Sequence, residues 1–495
     1  MTEPDTLWGP RHRPVMTALI SIIAIVSYNN LAATAVLPDI GDDLGRINLL
    51  PWVITIELLT SAVSVLAAGP IVDNAGVRKT FQFAGIGFMA TSIIVAAAPS
   101  MPALIAARAV QGIFAGGVMT AATAGIGVAI PSALRPRAFA AISTVWGVMG
   151  VAGPAIAALL VAVSSWRAIF IANIPVTAIA LWIGWNGLPD RRSAEYQSAE
   201  YQSARYQSAR SPALRGGNRI DGVGLVLVTI ITAAALSLTA ATPVVVIGGA
   251  ATMAASVVTY RWWARRNPEP ILRLPHLSAL RYRSVHLTSM AVLAAGVGVN
   301  SLLPLYIRGV RQQSTTVAAF SVLYMTAGWT AGAWLSSRLQ DRRRGETVSV
   351  LGSIIAFPAA VAVAVVIHLD APLPLVYPTF AWLGMGVGTI TATGAAVLQN
   401  RTELAEMGRL NGAHQFLRTI SLTIGIAAVA AITLAVVNHR TGDVEAVRQL
   451  LSDDPKDIPA GLTGALSDGY ATAAAAAAAT IPAALHLHRT RPHHT

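Results

Sequence analysis

The sequence predicts an all-α, polytopic membrane protein, and three observations lead to this prediction. Of the 495 residues, 54% are hydrophobic and only 12% are charged, whereas a soluble domain carries about 25% charged residues. The apolar residues fall into fourteen blocks, each close to the roughly 20 residues that a helix needs to cross a bilayer. Helix is the structure expected for such blocks, because backbone polar groups in lipid must be hydrogen-bonded within the chain.

The fourteen predicted spans divide the chain into six segments. These are a six-helix bundle (1–187), a cytoplasmic linker (188–219), two additional helices (220–263), a basic cytoplasmic loop (264–284), a second six-helix bundle (285–487) and a cytoplasmic tail (488–495). The spans themselves are predicted at 15–37, 49–72, 80–98, 102–130, 137–163, 167–187, 221–241, 243–263, 285–307, 315–337, 347–368, 373–398, 411–437 and 468–487.

The placement of positive charge predicts the orientation of these spans. With the amino terminus in the cytoplasm, most of the 35 Lys and Arg residues fall in cytoplasmic segments, as the positive-inside rule expects. An even number of spans then places the carboxyl terminus in the cytoplasm as well. The net charge of +12 is thereby assigned to topology and to contact with anionic membrane lipids, and no nucleic-acid partner is expected.

A repeated segment interrupts the apolar pattern at 193–207, where Ser-Ala-Glu-Tyr-Gln is followed by one exact copy and one near-copy. Its five-residue period gives neither a helical stripe nor a strand alternation. A low-complexity linker is the favoured interpretation, and a segment that docks a partner is the alternative.

Three charged residues lie well inside the apolar blocks, namely Glu57, Arg108 and Arg418. A charge at the bilayer centre costs about 2.5 to 3.5 kcal/mol on insertion scales, so such residues normally face a cavity or a partner. Glu57 and Arg108 are predicted about 12 and 9 Å from the outer ends of their spans at 1.5 Å per residue, and Asn29 lies at a similar depth. These three residues form a candidate proton-coupling site.

Alternatives remain open for both intramembrane sites. Glu57 could bind and release a proton, form a permanent structural ion pair with Arg108, or extend to the outer surface. Arg418 lies one turn beyond His414 on the same helical face. It could extend to the cytoplasmic headgroups or contact an anion or a lipid headgroup.

The segment from Gly69 to Lys79, which joins the second and third spans, carries a family resemblance. It is a tight turn with the acid Asp73 near one helix end and the bases Arg78 and Lys79 near the next, groups suited to a conformational latch. The segment resembles the signature loop of the major facilitator superfamily. Two of the usual basic residues of that loop are replaced here by Asn74 and Val77, so the latch is expected to be weaker.

Further segments resemble the 14-span drug:proton antiporter branch of that superfamily. The fourth-helix motif is matched by Leu104, Arg108, Gln111, Gly112, Gly116 and Gly117, and the fifth-helix motif associated with antiporters is matched by Gly150, Gly153 and Pro154. Residues 338–342 resemble a weaker repeat of the signature loop in the second half. Two departures concern the proton site, because Asn29 stands where the branch usually has an acid and Glu57 where it usually has Tyr.

The resemblance implies the major facilitator fold, with two six-helix bundles, two inserted helices, and a latch built from Gly69, Asp73, Gly76, Arg78 and Lys79. It implies substrate binding near the bilayer midplane and alternating access. The expected function is proton-coupled efflux of lipophilic or amphipathic organic compounds by a monomer in the bacterial plasma membrane, without cofactor or metal. The predicted substrate cavity is lined by Tyr28, Asn30, Gln111, Trp146, Asn300 and Arg418.

Two other functions fit the same residues less well. The first is an exporter or flippase of a lipid or an endogenous metabolite on the same fold. The second is a membrane sensor without transport, for which the repeated linker is the sole support. An enzyme is not expected, because the sequence has no cysteine and neither His-Glu-x-x-His nor Gly-x-Ser-x-Gly.

Overall fold

The structure is a computed structural model that describes residues 6–190, 221–238, 243–442 and 460–489. The repeated segment at 193–207, most of the predicted linker and the end of the predicted tail lie outside these residues. Within them every regular element is helical, which confirms the all-α prediction. The helices are α1 (Arg13–Ala35), α2 (Leu37–Leu44), α3 (Leu50–Ala75), α4 (Val77–Ala96), α5 (Met101–Ala129), α6 (Arg135–Val163), α7 (Arg167–Ile171), α8 (Asn173–Gly187), α9 (Gly222–Ser237), α10 (Pro243–Arg266), α11 (Leu274–Ser278), α12 (Leu280–Ser301), α13 (Leu303–Leu305), α14 (Thr315–Gln340), α15 (Gly345–His368), α16 (Leu373–Asn400), α17 (Met407–Thr441) and α18 (Ala460–Arg489).

A helix stands at every predicted span, although several boundaries differ. Within the described residues, eleven helices are long and apolar enough to cross a membrane. The shorter apolar helix α9, Gly222–Ser237, has 16 residues. The sixth predicted span is divided at Ala172 into α7 and α8, and the ninth continues through α13 into a π-helical turn at Tyr306–Val310. The total of fourteen crossings stays a prediction.

Proline and glycine set many of the helix ends. Proline occupies the first turn of α1, α3, α5, α6 and α16, where its missing N–H would have no partner within the helix. Gly76 separates α3 from α4 with a φ of +87°, a conformation that residues with a Cβ rarely adopt. The sharp reversal in the predicted signature loop therefore depends on this glycine.

The core consists of two main hydrophobic clusters. One is built mostly from residues between 7 and 188, and the other from residues between 292 and 481. A smaller cluster joins α9 and α10 to α3 and α17, with Val63, Tyr260 and Phe416 among its members. The two additional helices therefore pack where the first bundle meets the second.

The two halves contact each other along two seams. In the latch seam α3 packs against α17, and in the second seam α6 packs against α14. Gly69 allows the first approach, because a Cβ added there would lie 2.9 Å from Cα of Arg409 and from the carbonyl oxygen of Gly408. Gly147 allows the second, since a Cβ there would lie 2.6 Å from Oγ1 of Thr330.

Candidate functional site

Glu57 and Arg108 form a buried ion pair within the first half. Each lies about two helical turns from the start of its helix, α3 or α5, so the two helices present them at the same depth. The Nη2 of Arg108 lies 3.6 Å from Oε2 of Glu57, and the side chains are 0% and 1% exposed. The predicted proximity of these residues is therefore present, and Glu57 does not extend to the surface.

The Glu57 carboxylate has a second partner in Asn30 of α1. With the Asn30 amide nitrogen turned towards the carboxylate, Nδ2 donates to Oε1 at 3.1 Å and to Oε2 at 2.8 Å. Asn30 is half-buried, whereas Glu57 is buried. An amide can donate to a carboxylate and, after rotation, accept from a carboxylic acid, so Asn30 can hold either protonation state of Glu57.

Arg108 begins a continuous hydrogen-bonded series, which we call the polar chain. The Nε of Arg108 donates to the Val53 carbonyl oxygen at 3.1 Å, and its Nη1 donates to Oε1 of Gln111 at 2.7 Å. The Nε2 of Gln111 then donates to Oγ of Ser92 at 2.9 Å. The guanidinium also lies over the Phe170 ring, 5.6 Å from its centroid.

The polar chain ends at two buried amides. The Nδ2 of Asn173 donates to Oγ of Ser92 at 3.2 Å and to Oδ1 of Asn29 at 3.0 Å. Asn29 is therefore connected to Glu57 through four intervening side chains rather than by direct contact. The polar chain joins α1, α3, α4, α5 and α8. With Glu57, which is ion-paired to Arg108 at its start, this buried network includes all three residues of the predicted coupling site.

Ser92 and Asn173 are members of the polar chain that were not among the predicted site residues. An amide within an apolar span was an available signal for Asn173, because a buried amide needs hydrogen-bond partners. Ser92 gave no such signal. A helical serine can satisfy itself by bonding to the carbonyl four residues earlier, as its Oγ does with Phe88 at 2.8 Å.

The residues predicted to line a substrate cavity occupy different environments. Tyr28 and Gln111 are buried inside the first half, and Oη of Tyr28 donates to the Ile169 carbonyl oxygen at 3.5 Å. Trp146 is 37% exposed and precedes Gly147 at the second seam. In this conformation Gln111 is a member of the polar chain rather than a residue on an open surface.

Asn300 and Arg418 belong to the second half. Asn300 is half-buried on α12, and among the described residues its Oδ1 has no hydrogen-bond partner. Arg418 is half-buried on α17, where its Nη1 donates to Oε1 of Gln415 at 3.2 Å. Neither residue contacts Glu57 in any described interaction, so the predicted cavity set is not gathered into one cluster here.

Asp73 of the predicted latch binds the other half of the molecule. Its Oδ1 accepts a hydrogen bond from the Gly408 N–H at 2.6 Å, and its Oδ2 accepts one from the Arg409 N–H at 3.0 Å. These two amides open α17, where the helix dipole favours an anion. Asp73 therefore caps a helix of the opposite half across the latch seam, and its role in a conformational latch stays a prediction.

The basic residues of the latch have other surroundings. The guanidinium of Arg78 lies over the Trp185 ring, 5.2 Å from its centroid, and Lys79 is exposed. A helix N-terminus supplies two fixed donors, which explains why Asp73 binds without these bases. The expectation that Asn74 and Val77 weaken the latch stays a prediction.

The second seam, between α6 and α14, also contains polar contacts that join the two halves. The Nη2 of Arg137 lies 2.8 Å from Oδ2 of Asp341, which belongs to the predicted repeat of the signature loop. The Nε1 of Trp334 donates to Oγ1 of Thr144 at 2.8 Å. Both seams close the end of the molecule that carries Asp73.

The predicted antiporter motif lies on α6 beside the second seam. A Cβ added at Gly150 would lie 3.9 Å from Leu323 and Thr326 of α14, whereas one added at Gly153 would lie 3.3 Å from Cβ of Leu31 on α1. Pro154 follows inside the helix. This stretch of α6 therefore contacts its own half on one side and the opposite half on the other.

Comparison with known proteins gives a consistent result across nearly the whole chain. The family model described as Major Facilitator Superfamily matches residues 17–426. The chain is 23% identical over 441 residues to the multidrug transporter protein MdtP of Bacillus subtilis, covering 87% of this chain and 76% of that protein. It is 26% identical over 444 residues to a probable multidrug-efflux transporter of Mycobacterium tuberculosis, covering 86% and 88%. It is 26% identical over 444 residues to a puromycin resistance protein of Streptomyces alboniger, covering 87% and 82%.

Solved structures share the fold at low sequence identity. The human organic anion transporter MFSD10 superposes with a TM-score of 0.65 at 16% identity, covering 97% of this chain and 100% of that chain. A bacterial homologue of the iron transporter ferroportin in an outward-facing state superposes with a TM-score of 0.60 at 10% identity, covering 96% and 99%. These similarities show the arrangement of helices and carry no information about the substrate.

Proposed function

The chain belongs to the Major Facilitator Superfamily, and from this premise we propose that it exports lipophilic or amphipathic organic compounds in exchange for protons. Members of this family are multi-pass membrane transporters of small molecules, not enzymes. The names of the relatives from Bacillus, Mycobacterium and Streptomyces refer to multidrug transport and antibiotic resistance. These names support the class of substrate, and the buried acid Glu57 supports the coupling ion.

The observation that carries the proposal is the environment of Glu57. Its carboxylate is 1% exposed and has Arg108 at 3.6 Å, while the half-buried Asn30 reaches it from α1. A buried carboxylate is stabilised in its charged form by a nearby cation and destabilised by desolvation. Small changes in hydration or in the position of Arg108 can therefore decide whether Glu57 holds a proton.

The proposed cycle uses this balance. Glu57 takes a proton when its site is open to the outside, releases it when the site is open to the cytoplasm, and the substrate moves in the opposite direction. The two seams separate to open the cytoplasmic end and reform to close it, with Asp73 leaving and recapping α17. No cofactor takes part, because the proton gradient supplies the free energy.

The proposal includes a topology. Fourteen crossings place both termini in the cytoplasm, with the Asp73 end of the molecule facing that side and anionic lipids contacting its basic loops. The excess of Lys and Arg on that side supports this orientation. The transporter is proposed to act as a monomer, since each polypeptide contains both halves of the alternating-access machine.

Replacing Glu57 by Gln tests the coupling. One charge crossing about 100 mV supplies about 2.3 kcal/mol and half a pH unit about 0.7 kcal/mol, which together sustain roughly a 150-fold gradient of a neutral compound. In vesicles containing Glu57→Gln, we expect proton-driven accumulation of a fluorescent lipophilic dye to disappear. Downhill dye exchange should continue, because the substitution removes the proton site and not the alternating-access machine.

Two controls separate coupling from folding. Glu403→Gln removes an exposed carboxylate at the Asp73 end and should leave accumulation unchanged. Glu57→Gln leaves Arg108 buried and unpaired, a situation that costs about 3–5 kcal/mol, whereas Glu57→Gln combined with Arg108→Gln removes both charges and should recover part of the lost unfolding temperature. Full proton-driven accumulation by a folded Glu57→Gln protein would exclude Glu57 as the coupling acid.

The same vesicles distinguish the alternative cargo. A fluorescent phospholipid replaces the dye, and its transfer between leaflets is measured with a membrane-impermeant quencher. We expect proton-dependent movement of the dye and no change in phospholipid transfer. The opposite pattern would favour lipid export on the same fold, and the absence of both fluxes would favour a sensor.

A further inference from the structure

A buried histidine pair lies in the second half, outside the polar chain. His286 of α12 and His414 of α17 are 2% and 3% exposed, and their Nδ1 atoms lie 3.0 Å apart. The Nε2 of His286 lies 3.1 Å from the carbonyl oxygen of His276. The proposed transport cycle gives these residues no role.

The hydrogen-bond partners of the two rings determine which nitrogen of each ring carries the hydrogen. A carbonyl oxygen can only accept a hydrogen bond, so Nε2 of His286 carries a hydrogen. In neutral His286 the Nδ1 atom is then an acceptor, and Nδ1 of His414 must donate to it. Neutral His414 consequently has no hydrogen on Nε2, and this buried atom has no hydrogen-bond partner among the described residues.

We propose that the His286–His414 pair is a second proton-binding site, which accepts one proton at Nε2 of His414 and regulates opening of the latch seam. A new N–H bond forms at Nε2, and His414 becomes a cation. Its Nδ1–H continues to donate to His286, now as a charge-assisted hydrogen bond. The pair can therefore take up one proton without losing its internal contact.

The position of the pair connects it to the latch seam. His414 lies about two turns after Met407, where α17 begins, and Asp73 caps the intervening residues Gly408 and Arg409. Gly412 also packs against α3, because a Cβ added there would lie 2.7 Å from the Val65 carbonyl oxygen. Opening of this seam is therefore the movement that would bring water towards His414.

The surrounding charges disfavour a proton in the closed conformation. Arg418 lies one turn further along α17, and a second positive charge there repels a cation at His414. His276 faces the pair from α11 through its carbonyl, while its imidazole Nε2 lies 3.3 Å from Oε2 of Glu406. The pair itself therefore lacks a directly bound carboxylate in the described contacts.

The other elements packed against α12 and α17 place their titratable groups elsewhere. Helix α9 has none, α16 has only Tyr377, and α15 has Glu346 and His368 at its ends. Other titratable or charged side chains are described on α12, on α17 and on the helices that adjoin them. They are Glu57 and Asp73 of α3, Arg108 of α5, Asp468 and Tyr470 of α18, Tyr282 and Arg283 of α12, and Arg409, His439 and Arg440 of α17.

Linkage between proton binding at His414 and opening of the latch seam determines the direction in which pH shifts the seam. A buried cation without a counter-ion is unfavourable, so the pair binds its proton more tightly in a conformation that hydrates Nε2. Acidification of the Asp73 end therefore favours the open seam, by up to about tenfold in the equilibrium constant per pH unit for one proton. Because this proton enters and leaves at the same end, it adds nothing to the proton stoichiometry of transport.

The first test observes the protonation directly. The full chain labelled with ¹⁵N-histidine is studied by NMR between about pH 5 and pH 8, and the two rings are assigned with His286→Asn and His414→Asn. At the upper pH we expect His286 protonated at Nε2 and His414 at Nδ1, and on acidification His414 should gain a hydrogen at Nε2. Reversed tautomers, or a pair that stays neutral throughout this range, would overturn the proposal.

The second test measures the seam. The chain contains no cysteine, so Ser132→Cys and Glu403→Cys, exposed positions of opposite halves at the Asp73 end, can carry unique spin labels. The measurement is made in a background of Glu57→Gln and Asp73→Asn, so that neither the proposed coupling acid nor the carboxylate that caps α17 can titrate. We expect acid to increase the population with a long label distance, and His414→Asn to abolish this response.

The choice of Asn preserves the pair while removing the titrating atom. Its amide nitrogen can replace the Nδ1 donor to His286, whereas nothing replaces Nε2. His439→Asn on the exposed end of α17 and His276→Gln are the controls, and both should keep the acid response. A response that survives His414→Asn, or that disappears with His276→Gln, would refute this site without affecting the proposed role of Glu57.

Discussion

The buried polar residues in the first half depend on one another for hydrogen-bond and ion-pair partners. Arg108 is buried, yet it has a carboxylate, an amide oxygen and a backbone carbonyl around it. Ser92 accepts hydrogen bonds from both Gln111 and Asn173. Removing one member leaves buried partners unsatisfied, at a cost of about 1–3 kcal/mol for a neutral group, so substitutions in the polar chain are expected to be non-additive.

At the opposite end of the first half, Asp43 in the last turn of α2 joins that helix to the start of α7. Its Oδ2 accepts from Nη1 of Arg167 at 2.6 Å and from Nε1 of Trp166 at 3.0 Å. The hydrogen bond from Arg167, followed by that from Trp166, lowers the pKa of the Asp43 carboxyl below its usual value. Because the folded pKa is the lower one, the stabilisation is present above the unfolded pKa of about 3.9 and is lost as pH falls through the folded value.

We therefore predict that Asp43→Asn lowers the unfolding temperature at neutral pH and that this difference shrinks as the pH falls below about 4. Thermal unfolding followed by tryptophan fluorescence at a series of pH values measures the effect. Asp42→Asn, which alters the exposed neighbouring residue, serves as the matched control. An Asp43→Asn deficit that is independent of pH would show that the ion pair is not its cause.

Helix α17 is the element that connects the proposed functions. Its first amides are capped by Asp73, its second turn packs on α3 through Gly412, and it carries His414 and Arg418. A helix held by a carboxylate at its N-terminus gains about 0.3–2 kcal/mol from that charge. This modest energy suits a contact that forms and breaks in the proposed transport cycle.

The close approach of α3 and α17 at Gly69 predicts that an added side chain there destabilises the closed latch seam. Gly69→Ala places a Cβ 2.9 Å from backbone atoms of Gly408 and Arg409, which cannot move as a flexible side chain would. Overpacking of this kind costs about 1–3 kcal/mol, so we expect the closed seam to lose at least about fivefold in population.

The spin-label pair at Ser132 and Glu403 measures this shift. Gly461→Ala is the control, since an added Cβ there meets nothing within 4 Å. If Gly69→Ala and Gly461→Ala give the same label distances as the parent chain, the latch seam tolerates a wider separation than its geometry implies.

At the scale of the whole molecule, two seams close the same end, and each joins one helix of the first half to one of the second. Rocking of the halves can therefore break both sets of contacts together. The arrangement supplies a physical basis for the proposed alternating access.

The presence of one candidate coupling acid predicts the electrical character of transport. Exchange of one proton for one monovalent cation moves no net charge, so an imposed pH gradient should drive export of a cationic dye in vesicles and an imposed voltage alone should not. A neutral dye should respond to both, because about 2.3 kcal/mol per 100 mV then acts on the proton. Voltage-driven flux of the cationic dye would require additional translocated protons.

Many features of the protein were predictable from local sequence. The apolar blocks located a helix at every predicted span, and the run from Gly69 to Lys79 contains an acid, Asp73, that contacts the other half. The depth of Glu57 and Arg108 along their helices predicted their encounter. These predictions succeeded because membrane helices have a fixed rise per residue and because their backbones must satisfy their own hydrogen bonds.

Composition and spacing were enough to predict the all-helical membrane class and to identify the charged residues inside the apolar blocks. The folded arrangement was needed to show that Asp73 caps a helix of the other half, that Ser92 and Asn173 connect Arg108 to Asn29, and that His286 meets His414. Each of these contacts joins residues far apart in the chain, so its formation depends on how helices rotate and pack, which no local pattern specifies.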